Sequence, residues 1–164
     1  MNRPELVPSK ILAMPELLQR VAQWRLADKK IAFTNGVFDI LHEGHIFSLS
    51  QAAKEANYLI VGLNSDDSVK RLKGNSRPVN SQSSRSLLLA SLVIVDVVVV
   101  FEEDTPLNLV KTILPDVLVK GGDYTVEQVA GAKEVLAANG RVVINPLIEG
   151  FSTTSMIGRI RSQL

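Results

Sequence analysis

The sequence predicts an α/β domain built on an open, doubly wound parallel sheet of five strands with helices on both faces. Short apolar runs alternate with amphipathic segments from one end of the chain to the other. The runs are apolar at consecutive positions, as strands buried on both faces are. No internal repeat, linker or shift in composition divides the chain, so the alternation implies one sheet with right-handed crossovers.

Taken in order, Pro15 to Asp28 carries Leu17, Leu18, Val21, Trp24 and Leu26 at helical spacing. Proline sits near its start, where a missing N–H costs nothing. Ile31 to Thr34 is the first strand, and His45 to Ala56 is a helix with Ile46, Leu49, Ala52, Ala53 and Ala56 on one side. Tyr58 to Leu63 is the second strand. Asn64 to Asp67 supplies capping side chains for a short helix over Ser68 to Leu72. Lys73 to Ser84 is the longest polar, turn-rich passage and reads as a surface loop of the kind that often carries function. Arg85 to Val95 is helical and Val97 to Phe101 is the third strand. Pro106 to Ile113 is a helix, Val117 to Lys120 the fourth strand, and Val126 to Ala138 a helix closed by Asn139-Gly140. Arg141 to Ile144 is the fifth strand, and a last helix runs from near Ser152 to Arg161. This is a Rossmann-like order of elements. Residues 1–27 form an N-terminal extension and helix packed on a domain of residues 28–164.

Composition narrows the function. Of 164 residues, 46% are apolar and 21% charged, which is ordinary for a globular domain of this length. A net charge of +1 argues against a nucleic-acid partner, whose binders carry a basic excess. The chain has no cysteine, which excludes disulfides, thiolate metal sites and a cysteine nucleophile and suits the cytoplasm. No secretory leader is expected at the start. The most apolar run, Leu87 to Phe101, falls short of the ~20 residues of a membrane span and contains Ser91 and Asp96.

In a doubly wound sheet, ligands bind beyond the carboxyl ends of the strands. The polar, glycine-bearing clusters all fall there. After the first strand comes Thr34-Asn35-Gly36-Val37-Phe38-Asp39-Ile40-Leu41-His42-Glu43-Gly44-His45. A helix start attracts anions through its amides and dipole, and imidazoles can donate hydrogen bonds to phosphate. His42 and His45 are the chain's two histidines. A lone histidine is more often structural, but two in one glycine-bearing loop reverse that reading. Asp39 and Glu43 form no recognisable zinc spacing with them, so no protein-held metal is expected. Lys120-Gly121-Gly122-Asp123-Tyr124 follows the fourth strand, where glycines allow close approach to a flat ligand. Ser152-Thr153-Thr154-Ser155 opens the last helix with more hydroxyls than a cap needs, making a second phosphate site. Lys73, Arg77 and Arg85 are further possible phosphate partners, against the commoner reading of solvated surface cations. The chain has no P-loop, no dinucleotide glycine fingerprint and no Gly-x-Ser-x-Gly elbow.

His42-Glu43-Gly44-His45, preceded by Gly36-Val37-Phe38-Asp39, resembles the His-x-Gly-His signature of the cytidylyltransferase-like nucleotidyltransferases. Asn64-Ser65-Asp66, Arg71-Leu72-Lys73-Gly74, Arg77-Pro78-Val79-Asn80, Lys120 to Tyr124 and Phe151-Ser152-Thr153-Thr154 extend it. With them the chain is similar to the ADP-heptose synthase adenylyltransferases over about residues 28 to 162. The resemblance implies transfer of AMP from ATP to D-glycero-β-D-manno-heptose 1-phosphate, giving ADP-heptose and pyrophosphate for lipopolysaccharide core or another surface glycan. A cytidylyltransferase on a small alcohol phosphate such as glycerol 3-phosphate, and a nucleotide-binding module without turnover, are the alternatives. Leu147 stands where the glycerol-phosphate enzymes carry arginine, and Val37 where the heptose enzymes often have cysteine.

The resemblance also implies roles. His42 and His45, with the helix amides, serve the α/β-phosphates. Ser152 and Thr153 hold the β/γ-phosphates, and Thr154 is a further nucleotide-binding residue. Lys73 screens the triphosphate or the incoming sugar phosphate. Asp123, with Gly121 and Tyr124, lines the nucleoside side, and Lys120 is a further nucleotide-binding residue. Asp39 touches the acceptor's hydroxyls or helps place Mg²⁺, held mainly by the ATP phosphates, and Thr34, Asn35, Gly36, Phe38 and Gly44 complete the wall. A homodimer is expected, as is a separate heptose kinase supplying the substrate.

Overall fold

The computed structural model describes residues 4–122, 124–146 and 153–163. Five strands form one all-parallel sheet in the order β3-β2-β1-β4-β5. They are β1 (Ile31–Gly36), β2 (Tyr58–Asn64), β3 (Val97–Phe101), β4 (Val117–Gly121) and β5 (Arg141–Asn145). The α-helices are α1 (Met14–Leu26), α2 (Glu43–Lys54), α3 (Asp66–Lys73), α4 (Gln82–Ala90), α5 (Leu107–Ile113), α6 (Ala132–Ala137) and α7 (Thr153–Arg161). The Rossmann-like expectation holds. Among the described residues, no helix is long and apolar enough to cross a membrane.

Side chains alternate across a strand, and here the alternation divides the core in two. Ile31 and Phe33 of β1 enter one cluster, with Leu17, Val21 and Trp24 of α1, Val110 and Ile113 of α5, and Val135 of α6. Ala32 faces the other cluster, with Leu49 and Ala52 of α2 and Leu89 and Ala90 of α4. The helix preceding the sheet is thus part of the core. Trp24 stacks on Tyr58 with ring centroids 4.0 Å apart, and Ile11 bridges to Val98 at the β3 edge.

Two departures from the sequence reading matter for the site. β1 runs two residues past Thr34: Asn35 pairs with Gly62 and Gly36 with Leu63, so both are sheet residues and not loop. The ladder continues because Gly36 gives Phe38 room, since a Cβ at Gly36 would come 2.9 Å from the Phe38 ring. The helix expected over Val126 to Ala138 is broken into a 3₁₀ turn (Val126–Gln128) and α6. Gly131, at φ +92°, turns the chain between them. A Cβ there would sit 2.5 Å from Val110, so the close approach to α5 requires glycine.

Candidate active site

β1 has β2 on one side and β4 on the other, and the chain reverses its direction of winding between β1 and β4. That switch point is where a doubly wound sheet leaves its crevice. A cleft with two lobes opens there. One lobe, of about 350 Å³, is lined by His42, Gly44, His45, Ser48, Gly121 and Thr153. The other, of about 380 Å³, is lined by Asn64, Lys73, Asp104, Tyr124 and Gln128. Asn35, Gly36, Val37 and Lys120 belong to both.

The histidine lobe is built by the turn from β1 into α2. Phe38 takes a left-handed φ of +47° and buries its ring edge-on to His45, centroids 5.2 Å apart. His42 is the N-cap of α2, and its carbonyl accepts from the His45 amide at 2.9 Å and the Ile46 amide at 3.2 Å. The two imidazoles stack with centroids 3.8 Å apart. Burial lowers the pKa of His42. Burial, then the neighbouring His42, pushes His45 down to about 4. Its Nδ1 is buried without a partner of normal hydrogen-bond geometry, though the Ile40 carbonyl is near enough to favour the proton slightly. At neutral pH both rings are therefore uncharged, each with one N–H to donate. Thr153 closes the lobe from α7, its Oγ1 donating to the Ile40 carbonyl at 3.5 Å.

On the divide, Lys120 Nζ donates to Asn35 Oδ1 at 3.4 Å and lies 5.4 Å from the centroid of the Tyr124 ring. Burial lowers its pKa. Gly121 lines the histidine lobe and Tyr124 the other.

Two expectations are corrected. Asp39 is not a ligand for substrate or Mg²⁺: its side chain is 0% exposed. The carboxylate accepts from Arg77 Nε at 2.5 Å, the Val79 amide at 2.8 Å and the Asn80 amide at 2.9 Å. Burial alone would raise its pKa, but the amides of Asn80 and Val79, then Arg77, outweigh burial and hold the carboxyl low. Arg85 is not a phosphate partner. It is 0% exposed, and its guanidinium donates to the carbonyls of Asn80 (3.0 Å) and Val37 (2.7 Å) and to Asp66 Oδ1 (2.8 Å). Three of its five N–H donors are spent on these protein acceptors, and the buried side chain lines neither lobe. Asp39, Arg77, Asn80 and Arg85 form a polar clasp that ties the α3–α4 loop to the β1–α2 loop.

The structure brings Thr34, Asn35, Gly36, Phe38, His42, Gly44, His45, Lys120, Gly121 and Thr153 to the histidine lobe. Lys73 and Tyr124 line only the other. Thr154 is exposed and lines neither. Ser152, Asp123 and Leu147 lie outside the described residues. Ser48, Asp104 and Gln128 were missed by the sequence reading. Ser48 and Gln128 are isolated polar residues on helices with no motif to mark them, whereas Asp104 lies in Phe101-Glu102-Glu103-Asp104-Thr105-Pro106, a run that shares in the family resemblance without giving Asp104 a role.

A sheet switch point framed by neutral imidazoles, helix amides and a half-buried lysine defines a phosphate-handling α/β protein of the nucleotidyltransferase kind. A family model described as cytidylyltransferase-like matches residues 33–159. The chain belongs to that family. It is 54% identical over 152 residues to the bifunctional protein HldE of Rhodospirillum rubrum, covering 93% of this chain and 31% of that one. It is 52% identical over 149 residues to HldE of Koribacter versatilis, covering 91% and 31%. The chain thus spans about a third of the length of these relatives. Among solved structures it resembles a lipopolysaccharide core biosynthesis protein from Thermoplasma volcanium. Their TM-score is 0.57 at 26% identity, over 73% of this chain and 97% of that one. A pantoate-β-alanine ligase from Francisella tularensis shares the fold alone, with a TM-score of 0.59 at 16% identity, over 94% of this chain and 78% of that one.

Proposed function

We propose that this chain is the adenylyltransferase that moves AMP from ATP to D-glycero-β-D-manno-heptose 1-phosphate, releasing pyrophosphate and forming ADP-heptose for lipopolysaccharide core or another surface glycan. The observation that carries the proposal is the two-lobed cleft with one shared wall, which suits two anionic substrates meeting at a common phosphorus. The relatedness to the HldE proteins and the resemblance read from the motifs supply the acceptor.

In this reading, an oxygen of the sugar phosphate attacks the α-phosphorus of ATP in line. The new O–Pα bond forms as the bond from Pα to the β-phosphate oxygen breaks, and pyrophosphate leaves with the electron pair. The nucleophile is already an anion at neutral pH, so no general base is required. Catalysis rests on positioning and on stabilising charge. Neutral His42 and His45 fit that demand, since each donates a hydrogen bond to phosphate oxygens without having to accept a proton. Thr153, with Ser152, serves the leaving pyrophosphate from the start of α7. Lys73 draws the sugar phosphate into the second lobe.

Mg²⁺ would supply further charge screening on the polyphosphate. Among the described residues, no three His, Asp or Glu side chains group to hold a metal, and Asp39 is committed to the clasp. In this reading the metal is carried by the ATP phosphates. A cytoplasmic location, a homodimer and a separate kinase supplying the heptose 1-phosphate belong to the same proposal.

The test is pyrophosphate release from ATP or CTP with heptose 1-phosphate or glycerol 3-phosphate. Release from ATP and heptose 1-phosphate alone supports the reading. Release from CTP and glycerol 3-phosphate replaces it with a cytidylyltransferase. Tight ATP binding with no pyrophosphate from any acceptor reduces the chain to a binding module.

A further inference from the structure

Lys120 differs from the other well-buried cations of this protein. Arg77 and Arg85 each meet a carboxylate, at 2.5 and 2.8 Å, and exposed Lys30 and Lys70 do so at 3.0 Å. Lys120 makes no ion pair among the described residues. Its partners are the neutral Asn35 amide at 3.4 Å and the Tyr124 ring at 5.4 Å. A half-buried ammonium held by a neutral oxygen and a π face has lost hydration without gaining a counter-charge. Burial accordingly lowers its pKa, and an anion beside it would raise it again.

Position gives that anion a source. Lys120 is the penultimate residue of β4, at the switch point, and among the described residues it is the one cation that lines both lobes. Lys73 lines only the lobe with Asp104, Asn64, Gln128 and Tyr124. That lobe holds polar side chains suited to sugar hydroxyls, with Lys120 at the border to the histidines.

We propose that Lys120 bridges the two reacting phosphates, its ammonium contacting the acceptor phosphate and the α-phosphoryl group of the nucleotide together. It is then a catalytic residue. The ammonium keeps its protons throughout: the acceptor oxygen bonds to Pα, the Pα–O bond to the β-phosphate breaks, and Lys120 offsets the charge shared by the two groups. Its full contribution exists only when both anions are present, so it should act on the ternary complex and on turnover more than on nucleotide binding.

The inference rests on the proposed transfer between two phosphates, but its test does not require the acceptor to be known. Calorimetry with α,β-methylene ATP, or α,β-methylene CTP should that be the nucleotide bound, measures the binary affinity. Inorganic phosphate titrated into that complex measures the second site. For Lys120→Met, the binary affinity should change by no more than about 3-fold, and affinity for inorganic phosphate should fall about 10-fold or more. With the acceptor found active, kcat should fall on the order of 10²-fold, and Lys120→Arg should recover part of it. Unchanged phosphate affinity overturns the inference, as does absence of phosphate binding to the wild-type complex or a binary loss as large as the ternary one. Wild-type turnover together with any of these results sinks this inference alone, whereas failure of the wild type to bind either nucleotide sinks the functional reading with it.

Discussion

Replacing Asp39 with asparagine tests the clasp that supports the catalytic loop. The carboxylate is 0% exposed and Arg77 15%. Its partners are all donors: the Val79 amide at 2.8 Å, the Asn80 amide at 2.9 Å and Arg77 Nε at 2.5 Å. Asparagine has nearly the same shape but turns one acceptor into a donor, which must then face another donor. Breaking one side of a fully buried ion pair costs about 3–5 kcal/mol. The residual exposure of Arg77 lets water reach its guanidinium, so a loss of about 2–3 kcal/mol is expected. With a urea slope of about 2 kcal/mol/M, the midpoint should fall by roughly 1 M with the slope unchanged. Hydrogen exchange at the Val79 and Asn80 amides should accelerate beyond the global change. The sign with pH also follows. The folded pKa of Asp39 lies below its unfolded value of about 3.9, so its contribution is present above pH ~4 and lost as pH falls through the folded pKa. The asparagine variant should lack that part of the acid loss. A midpoint shift below about 0.3 M, or unaltered exchange at Val79 and Asn80, would refute the clasp.

Four further outcomes are expected. His45→Ala should lower kcat by on the order of 10²-fold in a folded protein, and near-normal turnover would remove the histidine from the mechanism. By NMR, the His45 ring should titrate near pH 4, not near 6.5. The unfolded chain then binds the extra proton first, so stability should decline as pH falls from about 6.5 to 4, and His45→Gln should flatten that stretch. Thr153→Val should weaken ATP and pyrophosphate interactions, whereas unchanged KM and kcat would leave its hydroxyl only the bond to Ile40. Gly36→Ala should cost activity more than stability, because its Cβ displaces the Phe38 ring that packs on His45; equal activity would show that the ring is free to move.

The sheet was legible because its evidence is periodic and local. Runs such as Tyr58 to Leu63 and Val97 to Phe101 are apolar throughout, and only a strand covered on both faces wants that pattern. Element ends were less so, since contacts distant in sequence decide them. Nothing local says that Gly36 continues a ladder beside Leu63, or that Gly131 breaks a helix against Val110. The same limit applied to the site. His42, His45 and Thr153 lie at a strand-to-helix turn or the start of a helix, so their place on the carboxyl edge followed from topology. Asp39 and Arg85 look identical to ligand groups in sequence. Their partners include residues 38 to 48 positions away, and only the folded chain shows that both side chains are buried among protein partners.

The burial of Asp39, Arg77 and Arg85 in the clasp divides labour in the cleft. Charged side chains on the β1–α2 and α3–α4 loops are consumed in holding the loops together, and the groups turned toward the histidine lobe are neutral: two imidazoles, helix amides and a hydroxyl. In the proposed transfer, a lobe lined mainly by neutral donors would bind a polyphosphate without fixing more cations than a metal-bound nucleotide needs. The unpaired cation is left at the border, where charge changes during transfer. In the proposed reaction such an arrangement would stabilise the moving charge more than the resting one, which is the condition for raising kcat rather than merely lowering KM. Asp39→Asn and Lys120→Met should therefore fail in opposite ways. The first loosens the fold around an intact set of donors, and the second leaves the fold intact and removes the charge that the transition state uses.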